Sequence, residues 1–252
     1  MGGYGVKRAE FTNLEELDYS GTEALNTICS NLIFSGRDLK KIVITSCMAG
    51  EGKSFMTIHI VQNLARRGKT VVMVDADLRR SFMIKRYGLE TEGEWRGLAH
   101  FLAGYDELED IVYATDIENV YIVPTGRDVA NPIQLLDSPH FTEMLNALAR
   151  RFDYVIVDAP PVGLVIDAAE IAKVCDGAVF VIEYNKTRRR EIIDAQRQIA
   201  QSGCPVLGCI INKVTFDSLS AKKYYNKSYY SHYNNEYYRR DSKKSSKKER
   251  SR

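Results

Sequence analysis

Several features common in secreted, membrane or metal-cluster proteins are missing from this chain. No apolar run approaches the roughly 18 residues that span a bilayer, so no transmembrane helix is expected. The opening Met1-Gly2-Gly3-Tyr4-Gly5-Val6-Lys7 has no apolar stretch of a signal peptide, and Val6 stands where an N-myristoylation signal wants Ser or Thr. The five cysteines (29, 47, 175, 204, 209) are odd in number and show no paired spacing for zinc. They read as small buried hydrophobes in a reducing cytoplasm. The four histidines share no spacing that would make a metal or catalytic set, and no internal repeat is visible. What is present is 252 residues with 44% hydrophobic content, enough for one sizeable core.

The net charge of +2 conceals a division. Residues 222–252 carry 11 Lys and Arg against 3 Asp and Glu, a net of +8, whereas residues 1–221 carry 24 against 30, a net of −6. The basic end also holds seven of the fifteen tyrosines, at 224, 225, 229, 230, 233, 237 and 238, and almost no aliphatic residues. Such a segment buries too little apolar surface to offset the entropy of ordering, so 215–252 is expected to be a disordered tail.

The body alternates strand and helix signals. A strand reads at 41–46, the uninterrupted apolar run at 70–74 suits a strand buried on both faces, and further runs stand at 120–123, 154–157, 178–182 and 206–211. Helical spacing occupies 53–67, 138–151 and 187–202, the first closing on Arg66-Arg67-Gly68. Residues 80–118, with Trp95, are less regular and read as short helices beside the sheet. This order predicts an α/β, doubly wound, mainly parallel sheet with helices on both faces. The expected division is 1–36 as N-terminal arm and helix, 37–214 as the nucleotide-binding domain, and 215–252 as the tail.

Ile42 to Ser54 carries the clearest chemistry. An apolar strand enters Cys47-Met48-Ala49-Gly50-Glu51-Gly52, ends in Lys53-Ser54, and a helix follows. Backbone N–H groups of such a loop surround phosphates, and the helix N-terminus adds partial positive charge. Lys53 would reach the β/γ oxygens and Ser54 would take a place on Mg²⁺. The loop residues 49–54 together with Phe55 form the expected nucleotide contacts. Cys47 stands where the phosphate-loop pattern has its first glycine; an ordinary strand–loop–helix turn is the alternative.

In doubly wound sheets ligands sit beyond the C-terminal strand ends. Two further strands end there in carboxylates, one in Asp75-Ala76-Asp77-Leu78-Arg79, the other in Asp158-Ala159-Pro160-Pro161. Beside a phosphate loop these can hold Mg²⁺ and orient or deprotonate an attacking group. Capping of the following segments is the plainer alternative for Asp75 or Asp77. Asn212, closing the last strand, either reads an adenine edge or caps a turn. Arg188-Arg189-Arg190 reads as a solvated helix start.

Ser46–Ser54, Asp75-x-Asp77-x-Arg79 and Asp158-Ala159-Pro160-Pro161, with Gly126, Asn131-Pro132, Leu135–Ser138 and Asp167-Ala168, resemble the bacterial tyrosine kinases of capsular and exopolysaccharide systems. The likeness runs from about Glu23 to Asn212, and the tyrosine tail matches that family's terminal cluster. Family members also lack the first loop glycine. The resemblance implies a P-loop fold of the nitrogenase-iron-protein/MinD type and an ATP- and Mg²⁺-dependent protein-tyrosine kinase. It implies Lys53 on the phosphates, Ser54 on the metal, Asp75 as base and Asp77 assisting near the metal. Asp158 would hold Mg²⁺ through water, and Arg79 would place Asp75 and Asp77 or the transferring phosphate. The acceptors would be Tyr224, Tyr225, Tyr229, Tyr230, Tyr233, Tyr237 and Tyr238, phosphorylated between molecules. Implied partners are a membrane-embedded activator with a cytoplasmic end, a cognate tyrosine phosphatase and sugar-polymer biosynthesis enzymes as substrates. That sets the chain at the inner face of the cell membrane, peripherally and on the cytoplasmic side.

The chain departs from the family at Ala49 (usually Pro), Phe55 (Thr) and Ser81 (Pro). The ring-forming Glu-x-x-Arg-x-x-Arg falls on Glu23-x-x-Asn26-x-x-Cys29, losing both arginines and the bidentate contacts they make. For the tail, a membrane anchor and a nucleic-acid arm compete with the acceptor role; the acceptor role is preferred, and no nucleic acid is expected as partner. The competing function is a dimerising ATPase switch of the MinD/ParA type. Such proteins carry an extra lysine early in the loop, absent at Cys47 and Met48, and give no reason for clustered tyrosines.

Overall fold

The computed structural model describes residues 7–214, apart from 37, 82, 128 and 130. The tyrosine-rich segment and its proposed acceptors lie outside the described residues. The strands are β1 (Lys7–Phe11), β2 (Lys41–Ser46), β3 (Val71–Asp75), β4 (Leu89–Thr91), β5 (Tyr113–Thr115), β6 (Val120–Val123), β7 (Tyr154–Asp158), β8 (Gly177–Glu183) and β9 (Val206–Asn212). They form one sheet in the order β4-β1-β5-β6-β3-β7-β2-β8-β9. From β6 to β9 every pairing is parallel; β1 with β4 and β5 with β6 are antiparallel.

The central runs are apolar at every position because helices cover both sides. On one face Val43, Val72, Val74, Val155 and Val157 share a core with Leu145 of α7 (Pro139–Arg151), Ile171 of α8 (Asp167–Ala172) and Ile199 of α9 (Arg189–Gln201). On the other, Ile42, Ile44, Val71, Met73 and Ile156 pack with Leu25 of α1 (Tyr19–Phe34) and with Ile60 and Leu64 of α2 (Lys53–Arg66). The alternation along each strand sends successive side chains to opposite cores. Short helices α3 (Met83–Tyr87), α4 (Leu98–Leu102), α5 (Leu108–Ile111) and α6 (Pro132–Leu136) complete the described elements.

The six long runs and three long helices stand where the sequence predicts them. Residues 80–118 do not form helices alone, since β4 and β5 belong to the sheet. Strand β1 pairs parallel with β5, and its Ala9 is buried. Four of the cysteines are buried as expected, but Cys209 on β9 is exposed. No helix among the described residues is long and apolar enough to cross a membrane.

On α1, the half-buried Asn26 is engaged by α2 and by Glu23. Asn63 donates to its side chain at 2.8 Å, Asn26 donates to Glu23 at 3.1 Å, and Arg67 reaches its carbonyl at 2.9 Å. Cys29 is fully buried against the same helix pair.

Candidate active site

The turn from β2 into α2 is shaped by glycine. Gly52 is the N-cap residue of α2 with φ 93°, a left-handed conformation that side chains strain, and no side chain caps the helix. A Cβ at Gly52 would lie 2.1 Å from Asn212 Nδ2. The first-turn amides thus meet the cleft with the positive end of the helix dipole. Glu51 supports the loop from beneath. Its buried carboxylate accepts from Met48 N–H at 2.8 Å and from the Thr187 hydroxyl. Asn212 Nδ2 donates to the Glu51 carbonyl at 3.0 Å, which sets that side chain on the loop backbone.

Adjacent strands β2, β7 and β3 bring the sequence-predicted polar residues together. Asp75 and Asp158 are register partners at the ends of β3 and β7. Lys53 Nζ lies 3.1 Å from Asp77 Oδ2 and 3.5 Å from Asp158 Oδ2. Ser54 Oγ donates to Asp158 Oδ2 at 2.6 Å, and Thr57 Oγ1 donates to the other oxygen at 3.2 Å. Ser81 Oγ donates to Asp75 Oδ2 at 2.5 Å, and the Asp77 N–H approaches Asp75 Oδ1 at 3.4 Å. All three carboxylates and Lys53 are buried.

Three carboxylates against one ammonium leave surplus negative charge in a buried site. Burial, then the charge of Asp158, pushes the Asp75 carboxyl up to about 7, against the opposing pull of Ser81 and Lys53. Burial also raises Asp158. For Lys53 burial acts downward, but Asp158, Asp77 and Asp75 outweigh it and hold the ammonium above its ordinary value. Among the described residues no three His, Cys, Asp or Glu side chains converge to hold a metal by themselves. The set fits a cation that keeps its waters, as Mg²⁺ does, held by Ser54 with Asp77 and Asp158 around it.

Arg79, expected to place Asp75 and Asp77 or the transferring phosphate, lines the same cleft as Lys53 and Asp77. Its guanidinium makes a two-pronged pair with Asp167, at 2.6 and 3.0 Å, where Asp167 is buried at the start of α8. Three supporting residues carried no motif signal of their own: Thr57 on Asp158, Thr187 on Glu51, and Thr45, whose hydroxyl donates to the Pro160 carbonyl at 2.8 Å. Phe55 packs edge-on against His59, ring centroids 4.3 Å apart. It also lines a cleft of about 240 Å³ between the phosphate loop, Pro160-Pro161 and α3.

Fold and site define a P-loop nucleotide-binding protein of the deviant kind that lacks the first loop glycine. A family model described as AAA domain matches residues 39–186. The tyrosine-protein kinase CpsD of Streptococcus agalactiae is 40% identical over 192 residues, 76% of this chain and 83% of that protein. The kinase domain of Escherichia coli tyrosine kinase ETK superposes with a TM-score of 0.74 at 26% identity, covering 79% of this chain and 78% of that one. The septum site-determining protein MinD of Pyrococcus horikoshii, solved with Mg-ADP, gives 0.59 at 26% identity over 68% and 69%. The chain belongs to the bacterial tyrosine kinases, whose catalytic domain is built on this AAA-type ATPase fold.

Proposed function

We propose that this chain transfers the γ-phosphoryl group of ATP to protein tyrosine, with the tyrosine cluster of another copy as its first acceptor. The observation that carries the reading is the gathering of Lys53, Ser54, Asp77 and Asp158 around one loop, with Asp75 beside them. Lys53 and the loop amides bind the phosphates and draw off charge as the terminal phosphoryl leaves. Magnesium, when bound, screens the phosphate oxygens and orients them for in-line transfer. Asp75, buried and held by Ser81, accepts the tyrosine proton; its raised pKa makes it a better base than an exposed carboxylate at neutral pH. Arg79 fixes the start of α8 through Asp167 and stays within the cleft lining.

The setting proposed is capsule or exopolysaccharide synthesis at the inner face of the membrane. A membrane-embedded activator would recruit the chain, a tyrosine phosphatase would reverse its action, and polymer-synthesis enzymes would be further substrates. The MinD-like switch reading is less favoured, because it leaves seven clustered tyrosines without a role. Mass spectrometry of the full chain after Mg-ATP and activator tests the proposal. Phosphate between Tyr224 and Tyr238, lost with Lys53→Met, is expected; nucleotide hydrolysis without any phosphotyrosine would favour the switch.

A further inference from the structure

The mouth of the cleft beside the phosphate loop is basic. The exposed Arg79, Arg80 and Arg86 line it, and the buried Lys53 and Asp77 line the same cleft. Lys53 is committed to Asp77 and Asp158, and Arg79 to Asp167. Arg86 on α3 pairs with Glu15 at 3.8 Å, with both side chains more than half exposed. An ion pair of that kind contributes little in water. The Arg86 guanidinium lies 5.7 Å over the ring of Tyr87, which lines the same cleft.

This charge mismatches the acceptor. Lys222, Lys223, Lys227, Arg239 and Arg240 surround the tyrosine cluster, so an unmodified doublet offers the arginines of the mouth no counter-charge. One phosphate on a tyrosine reverses the local sign, adding roughly −1.5 to −2 charge. Guanidinium groups bind such a phosphate through paired, charge-assisted hydrogen bonds. Six of the seven tyrosines stand in doublets, 224–225, 229–230 and 237–238. Consecutive Cα atoms are about 3.8 Å apart. A doublet bent so that both rings face the cleft would set one ring at the phosphate loop and bring its neighbour's phosphate to the arginines of the mouth.

We propose that this mouth, with Arg86 as anchor and Arg80 beside it, is a phosphotyrosine subsite that makes tail phosphorylation self-priming. The first phosphate on a doublet raises that doublet's affinity for the cleft of another copy, and the neighbouring tyrosine is modified next. The inference rests on the kinase reading above and adds no new chemistry. Each event moves one phosphoryl group from ATP to a tyrosine oxygen, releases ADP and passes the hydroxyl proton to the base. The subsite binds only the product of the preceding event.

The test uses the full chain and synthetic peptides spanning 222–233, one unmodified and one with phosphate on Tyr224. Labelled-phosphate incorporation gives KM, and fluorescence anisotropy with the Lys53→Met protein gives affinity without turnover. The phosphopeptide should show a KM and Kd lower by about tenfold, the scale of one charge-assisted hydrogen bond. In the Arg80→Gln/Arg86→Gln protein the ratio between the two peptides should fall below about twofold, and Arg86→Lys should keep part of it. Equal or weaker use of the phosphopeptide, or a preference that survives the double substitution, overturns the subsite. Incorporation into both peptides without preference leaves the kinase reading standing. Incorporation into neither sinks that reading, while the anisotropy ratio still decides the subsite.

Discussion

Ser81 Oγ donates a 2.5 Å hydrogen bond to Asp75 Oδ2, six residues back along the chain and at the end of β3. Asp75 is buried at 1% exposure, and this hydroxyl holds one of its oxygens in place. Ser81→Ala should therefore slow phosphotyrosine formation by about tenfold, since a lost partner at a buried charge costs about 1–3 kcal/mol. Ser81→Thr keeps a hydroxyl and should retain most of the rate. Steady-state kinetics check this; equal rates for all three proteins would remove Ser81 from any positioning role.

The elevated Asp75 pKa has consequences for both rate and stability. As a base, Asp75 acts deprotonated, so phosphotransfer should climb with pH through about 7 on its acid limb. For stability the sign runs the other way. The folded carboxyl binds its proton more tightly than the unfolded one, whose value is 3.8, so its contribution is lost as pH rises toward and through about 7. Asp75→Asn should abolish transfer yet raise the melting temperature of the nucleotide-free protein more at pH 8 than at pH 5.5. Thermal denaturation at the two pH values measures this, and an equal effect at both would contradict the assignment.

Asp167 is 1% exposed and its charge is answered by Arg79. Arg79→Ala strands that carboxylate and should destabilise the fold by about 3 kcal/mol. Adding Asp167→Asn should recover a good part of the loss. Urea unfolding of the single and double variants gives the coupling; additive losses would mean that the pair does not act as a unit.

Gly52→Ala meets two obstacles, a φ of 93° and the Asn212 amide 2.1 Å from the new methyl carbon. Nucleotide affinity should fall by at least about tenfold, because left-handed strain costs about 1–2 kcal/mol before any displacement of Asn212. Adding Asn212→Ala removes the clash and leaves the strain, so it should restore only part of the binding. Titration with a fluorescent ATP analogue distinguishes the two contributions.

Much of this architecture can be read from residue order, and the exceptions share a cause. Val71–Asp75 and Tyr154–Asp158 are buried on both sides, so burial itself writes a continuous apolar run. Strands β1, β4 and β5 lie toward one margin of the sheet and are only 5, 3 and 3 residues long; β1 and β4 mix charged with apolar residues, and β5 is only Tyr-Ala-Thr. Nothing in Lys-Arg-Ala-Glu-Phe distinguishes a strand from a loop until its neighbours are known. The same holds at the site. Strand ends announce Asp75, Asp77 and Asp158, whereas Arg79 finds Asp167 across 88 residues, a pairing that local spacing cannot disclose.

The Glu51 carboxylate joins Met48 in the phosphate loop to Thr187, one residue short of the N-cap of α9. Two stretches separated by more than a hundred positions are thereby stitched at a single side chain. The glycine turn and the root of the helix that flanks the far rim of the sheet thus share one anchoring carboxylate.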